Sequence, residues 1–291
     1  MKLFRFSLFA PALGFLAVMT LGPFVFVLGA SVLQVQLGAP LKFVGLAHYG
    51  RLLADPYFWL ALRNTLALTG CAVALELACG AGLALLFRPP RGSAPLPGAA
   101  AMRFVILIPM MLSPLLVGLF WKYMLDQVFG VVTWLCAQAG AGRPSFLTSP
   151  GLAFVSILVV DAWQWTPFVF LLCLAGLQSL PAEQEEAAVL ERASSWMRVR
   201  LLLLPHLKPA LLLAGLFRGI DTMKIFDLVY ILTGGGPGDA TITLSVLAYR
   251  LGFSYFDIGR ASALAILLLL IVNALATVAV RRMSAPARRT A

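Results

Sequence analysis

The chain has 291 residues, 61% of them hydrophobic and only 12% charged, with a mean hydropathy of +0.93 and a formal net charge of +10. Soluble domains carry about 25% charged residues, and a chain of this length has too little interior to hide so much apolar surface, so the surplus faces lipid and a soluble fold is excluded. The basic residues lie near the chain ends and in alternate loops, as the positive-inside rule requires, which removes nucleic acid as the reason for the charge.

The first apolar run covers about 6–33 and follows Lys2 and Arg5. It is nearly twice the length of a signal-peptide core of about 7–15 residues, and is read as a retained span. A second run covers 58–87 and carries Asn64 and Glu76. It ends in a connector, Arg88-Pro89-Pro90-Arg91-Gly92-Ser93 through Pro95, Pro97 and Gly98, which is too rich in turn formers to hold regular structure. The third run is 102–125. The fourth, 152–180, holds Asp161, Trp163, Gln164, Trp165 and Pro167. A carboxylate, an amide and aromatic faces suit a polyhydroxylated ligand, although tryptophans also populate the interfacial belt. Pro167 removes a backbone hydrogen bond and predicts a kink.

The segment 181–208 reads as a cytoplasmic loop between the fourth and fifth runs. Pro181 suits a first helical turn, Ser179 is a possible cap, and Glu183, Glu185 and Glu186 sit at the positive end of the helix dipole. Ala187, Leu190, Ala193 and Met197 form an apolar stripe. An amphipathic helix can rest on the bilayer, but an acidic one suits a groove on a partner protein better.

The fifth run, 209–232, carries Arg218, Asp221, Lys224 and Asp227. Four charges at the bilayer centre cost about 10–14 kcal/mol, whereas the twelve Leu, Ile, Val and Phe residues return only about 4–7 kcal/mol. This helix must lie inside a bundle or along a wet cavity. An ion-pair ladder and a substrate role both remain open for these residues. The glycine cluster Gly234–Gly238 has no GxxxxGK context and reads as a flexible turn leading out of the span. The sixth run is 259–280.

These observations predict an all-α polytopic membrane protein of six spans forming one domain, since helices satisfy their own backbone in lipid. With the N-terminus inside, the inner segments hold Lys2, Arg5, Arg88, Arg91, Arg103, Arg192, Arg198, Arg200, Lys208, Arg281, Arg282, Arg288 and Arg289. The outer ones hold Lys42, Arg51, Arg63, Lys122, Arg143, Arg250 and Arg260, thirteen against seven. That excess predicts N-in, C-in topology. Cys71, Cys79, Cys136 and Cys173 form no CxxC pair and read as small apolar residues. Two histidines, His48 and His206, are too few for a histidine metal centre.

Glu186-Ala187-Ala188, followed by a helix, a turn and Leu204-Pro205, resembles the EAA loop of binding-protein-dependent ABC importer permeases. Three further blocks resemble the sugar-import branch. They are Phe43-Val44-Gly45-Leu46 through Arg63-Asn64-Thr65, Asp161-Ala162-Trp163-Gln164-Trp165-Thr166-Pro167-Phe168, and Phe226-Asp227-Leu228-Val229-Tyr230 through Gly238. The resemblance implies a coupling helix formed by Glu186, Ala187, Ala188, Arg192, Ala193 and Pro205, and a substrate pathway including Asp161, Trp163, Gln164, Trp165, Asp221, Lys224 and Asp227. It also implies two ATP-binding subunits that carry ATP and magnesium, a second and different permease, an extracytoplasmic binding protein, no cofactor on this chain, and location in the bacterial inner membrane. The family usually has glycine where this chain has Arg192. Arginine adopts positive φ only at a cost, so the helix is expected to continue through it.

An ion-coupled carrier titrating Asp161 or Asp221 is the alternative of another class, and a carrier of that kind has no need of a coupling helix. An ABC permease for polyamines, phosphate or amino acids is the alternative within the resemblance. No nucleophile–base or metal constellation is visible, so the chain is expected not to be an enzyme.

Overall fold

The computed structural model describes residues 2–36, 38, 40–88 and 98–284, with side chains from Phe9 to Met283. Most of the predicted connector at 89–97, and the basic residues Arg288 and Arg289, lie outside the described residues.

Thirteen helices are named among the described residues. They are α1 (Lys2–Ser31), α2 (Ala47–Ala54), α3 (Pro56–Leu86), α4 (Ala99–Met111), α5 (Pro114–Met124), α6 (Val131–Gln138), α7 (Pro150–Gln178), α8 (Ala182–Leu190), α9 (Ser195–Arg198), α10 (Leu204–Thr222), α11 (Asp227–Leu232), α12 (Leu244–Tyr249) and α13 (Ile258–Ser284). Strands β1 (Leu33–Gln34) and β2 (Lys42–Phe43) pair antiparallel. Five helical stretches are long and apolar enough to cross a membrane, namely Phe9–Ser31, Pro56–Leu86, Pro150–Gln178, Ser195–Thr222 and Ile258–Met283. A sixth exists if α4 and α5, which meet at 98°, count as one broken span.

The break in the third apolar run follows from proline. Pro114 is the first residue of α5, and the residue before a proline is pushed out of the α region. Ser113 accordingly has ψ 138° and Leu112 ψ 144°. The expected fifth span is also divided. α10 stops at Thr222, a turn over Met223–Phe226 follows, and α11 begins at Asp227. By contrast, α7 runs through Pro167 without a break.

The chain forms two compact units. In the first, residues 1–62 with 244–274, the segment that follows β1 is anchored at the start of α13. Gln36 bridges Asp257, the Gly259 amide donates to the Val35 carbonyl at 3.2 Å, and the buried His48 places Nε2 3.1 Å from the Leu33 carbonyl oxygen. Arg260 reaches Asp55 at 3.4 Å.

The second unit, residues 63–243 with 275–291, has α7 at its centre. Val169, Phe170, Cys173, Leu174 and Leu177 follow helical spacing and pack with Leu203, Leu207 and Ala214 of the α10 region and with Ala81 and Ala84 of α3. Small residues allow the backbones to approach. A Cβ on Gly80 of α3 would stand 2.6 Å from Val169 Cβ and 2.9 Å from the Phe170 amide nitrogen. The segment after α11 is a hydrogen-bonded loop rather than the expected flexible turn. Thr241 Oγ1 donates to the Gly236 carbonyl at 2.7 Å, and Asn64 Nδ2 donates to the Ala240 and Ile242 carbonyls, both at 3.1 Å.

Candidate functional site

Two places in the second unit gather the polar groups singled out in the sequence. The first is a buried charge cluster beside a cavity. Arg218 of α10 meets Glu76 of α3 through two hydrogen bonds, Nε to Oε2 at 2.6 Å and Nη2 to Oε1 at 2.8 Å. Its Nη2 also donates to Asp161 Oδ2 of α7 at 2.9 Å, and Nη1 to Asp221 Oδ2 at 2.8 Å. The guanidinium carbon lies 4.7 Å from the ring centroid of Trp165, within cation–π range. Glu76, Asp161 and Arg218 are buried, whereas the Asp221 side chain is 53% exposed. One guanidinium thus joins three helices, and its planar fork suits that task better than an ammonium.

Next to the cluster lies a cavity of about 280 Å³, lined by Asp161, Gln164, Trp165, Asp221, Lys224 and Asp227 among others. Six of the seven pathway residues picked from the sequence meet there. The seventh, Trp163, does not. Its ring sits edge-on to Trp121 at 5.5 Å, because residues 163 and 165 project from different sides of α7. Gln164 also has a structural task. Its Nε2 donates to the Leu112 carbonyl at 3.1 Å, satisfying an oxygen freed where α4 ends.

Arg218 and Glu76 are the central residues that the site reading from sequence underweighted. The available signal was a lone glutamate within a 31-residue apolar helix, since an ionisable residue in such a run needs a partner. Nothing local reveals that the partner is 142 positions away.

The second place is the segment between α7 and α10. α8 carries Glu186, Ala187 and Ala188, with Glu186 and Ala187 exposed, and has no buried residue. Pro181 occupies its N-cap position, while the expected cap Ser179 instead donates to the Gly176 carbonyl at 2.8 Å. The expectation that Arg192 continues the helix is wrong. α8 ends at Leu190, and Arg192 takes φ +53°. The Arg192 amide bonds the Val189 carbonyl and the Ala193 amide bonds the Ala188 carbonyl, both at 3.0 Å. That is the Schellman pair with Arg192 at the position where glycine is favoured. Two satisfied carbonyls offset the left-handed backbone. The apolar stripe from Ala187 to Met197 is therefore interrupted. Ser194 caps α9 by accepting the Met197 amide at 3.2 Å, and a π-helical turn, Val199–Leu203, leads to Pro205 in the first turn of α10.

Residues 94–290 match the family described as binding-protein-dependent transport system inner membrane component. The chain belongs to this family. It is therefore a multi-pass inner-membrane permease subunit of an ABC importer. Such a permease from Sinorhizobium fredii, the probable ABC transporter permease protein y4oQ, is 41% identical over 78% of this chain and 72% of its own length. The trehalose/maltose transport system permease protein MalF of Thermococcus litoralis is 36% identical over 79% of this chain and 76% of its own. The fold matches a chain in the crystal structure of a bacterial ABC transporter involved in the import of the acidic polysaccharide alginate. That match has TM-score 0.83 at 20% identity and covers 97% of this chain and 96% of the other.

Proposed function

We propose that this permease passes a neutral sugar or polyol, delivered by an extracytoplasmic binding protein, through the cavity beside Arg218. The observation that carries the reading is the lining. Trp165 offers a flat apolar face, while Gln164, Asp161, Asp221, Lys224 and Asp227 offer hydrogen-bonding groups around about 280 Å³. Ligand pockets start at roughly 300 Å³, and a second permease facing this one would enlarge the space. The name of the Thermococcus relative, a trehalose/maltose permease, points the same way.

Formal charge favours a neutral solute over an anion. Of the residues lining the cavity, Asp161, Asp221 and Asp227 are acidic and Lys224 is basic, a formal excess of two acidic groups. An acidic polysaccharide of the alginate kind would meet repulsion there.

In this reading the whole chain is one permease domain of six spans, N-in and C-in, with α4–α5 as the broken third span. α8, with Glu186, Ala187 and Ala188 and the turn through Arg192 and Ala193 towards Pro205, is the coupling helix. It docks into a groove on one of two ATP-binding subunits. Those subunits hold ATP and magnesium, and this chain carries no catalytic site. ATP-driven closure moves the coupling helices and shifts the permease pair between outward- and inward-open states.

The test is reconstitution of the complete transporter in proteoliposomes with its binding protein, scoring ATP-dependent uptake of trehalose, maltose, a polyol, a polyamine and an amino acid. Saccharide or polyol uptake that falls at least about tenfold in Trp165→Ala is expected, from loss of roughly 1.4 kcal/mol or more of stacking and packing. Uptake of only the amine or the amino acid would overturn the substrate reading. Uptake driven by an ion gradient without ATP would overturn the ATP-coupled mechanism.

A further inference from the structure

α8 is tied to the transmembrane helices by more than its own chain. Arg88, two residues beyond the end of α3, places Nη2 2.5 Å from Oε1 of Glu185 in α8. The pair is shielded, with side chains only 14% and 17% exposed, so solvent screens it less than an open surface pair. It sits in a groove of about 170 Å³ whose other walls include Leu85, Ser195, Arg198 and Val199. The end of α3 is itself held, since Arg103 of α4 donates to the Phe87 carbonyl at 2.9 Å. At the base of the segment, Ser179 Oγ lies 3.2 Å from His206 Nε2, joining the end of α7 to the start of α10.

These contacts close a mechanical circuit. From Glu185 the path crosses to Arg88 and then runs up the uninterrupted α3 to Glu76, ten residues before Leu86, about 15 Å at 1.5 Å per residue. Glu76 grips Arg218 of α10, and α10 returns through the π-helical turn and α9 to α8. α8 therefore has two routes to the cavity, one covalent through α9 and α10, the other ionic through α3.

We infer that Arg88 and Glu185 are positioning residues for energy coupling, the pair that makes α3 move with α8. The inference rests on α8 being the coupling helix. Without the pair, a displacement of α8 would reach α3 only indirectly, through α10 and the Arg218–Glu76 contact. The Arg88–Glu185 pair thus fixes the number of solute molecules moved per ATP, not the docking of the ATPase, which falls to the exposed Glu186 side of α8.

The experiment uses the full transporter in proteoliposomes and measures uptake and ATP hydrolysis on the same vesicles, for wild type, Arg88→Glu, Glu185→Arg, the double exchange, Arg88→Lys, Arg88→Gln and Glu186→Lys. Each single reversal is expected to lower uptake per ATP by about fivefold or more, the size of a typical coupling free energy. The double exchange and Arg88→Lys are expected to stay near wild type, with subunit assembly retained. Should the reversals fail to assemble, Arg88→Gln against Arg88→Lys carries the test. A Gln variant as well coupled as the Lys variant would overturn the inference, as would a double exchange that assembles yet stays uncoupled. Glu186→Lys separates the two readings. If it assembles and couples normally, α8 is not the coupling helix. If it alone fails while every Arg88 and Glu185 variant couples normally, α8 docks the ATPase but the ionic strut does nothing.

Discussion

Replacing Arg218 by methionine keeps most of the side-chain length and removes the one cation that, among the described residues, contacts Glu76, Asp161 and Asp221. The three carboxylates differ in burial, so their losses differ. Glu76 and Asp161 have side chains 0% and 4% exposed and would remain as buried, uncompensated acids. Breaking one partner out of a buried pair costs about 3–5 kcal/mol. Asp221, 53% exposed, can turn to water, and its share is about 0–1 kcal/mol. The expected loss for Arg218→Met is therefore about 3–5 kcal/mol, with Asp221→Asn below about 1 kcal/mol. Reversible chemical unfolding of the purified permease in detergent micelles measures both. The decisive arm is the triple replacement Arg218→Met, Glu76→Leu, Asp161→Leu, in which no buried charge is stranded. Apolar substitution of a whole buried ionic group is neutral or stabilising by about 1–4 kcal/mol, so the triple variant should recover most of the stability while losing transport. A single Arg218→Met variant within about 1 kcal/mol of wild type would refute the reasoning, because it would mean that Glu76 and Asp161 reach water without the arginine.

Arg192→Gly should stabilise the α8 segment by about 1 kcal/mol, since a left-handed backbone costs a non-glycine residue roughly that much. Slower amide exchange at Ala193, whose amide closes the turn onto Ala188, is the readout; unchanged exchange would mean that the turn is strain-free with arginine. Gly80→Ala should destabilise by about 1–3 kcal/mol, because its Cβ lands 2.6 Å from Val169 and 2.9 Å from the Phe170 backbone. Gly82→Ala on the same helix meets nothing within 4 Å and should unfold at or above the wild-type midpoint. Equal midpoints for the two alanine variants would contradict the close approach of α3 and α7.

The long apolar helices were legible because the requirement that reveals them, an unbroken run long enough for the hydrocarbon core, is written locally. Their interruptions were less so. Hydropathy continues across Leu112 and Ser113, and only Pro109 and Pro114 hint that the helix axis turns there. In the fifth run the charges were visible, but only Arg218 is buried, whereas Asp221, Lys224 and Asp227 are exposed and border the cavity. Their pattern could not foretell that Met223–Phe226 leaves the helix. Arg192 shows a different limit. Propensity argues against positive φ at arginine, yet two backbone hydrogen bonds outweigh a penalty of about 1–2 kcal/mol. Trp163 and Trp165 looked equivalent as aromatic faces. Their separation depends on α7's neighbours, Trp121 on one side and Arg218 on the other.

The two helix interruptions and the cavity belong to one arrangement. Non-helical backbone at membrane depth is tolerated only where protein or water satisfies it. At each interruption a side chain from elsewhere in the second unit satisfies one carbonyl. Gln164 of α7 donates to the Leu112 carbonyl, and Thr243 Oγ1 donates to the Ile225 carbonyl at 3.3 Å. Pro114 from the first interruption and Lys224, Ile225 and Phe226 from the second border the same space as Asp161 and Trp165. An intact helix would present only side chains there. Interrupting two of them brings the charged flanks of α10 and α11 to one side of the cavity. The Arg218 cluster holds the intact helices α3 and α7 to α10 beside that opening, so its stability cost falls on elements that need not unwind.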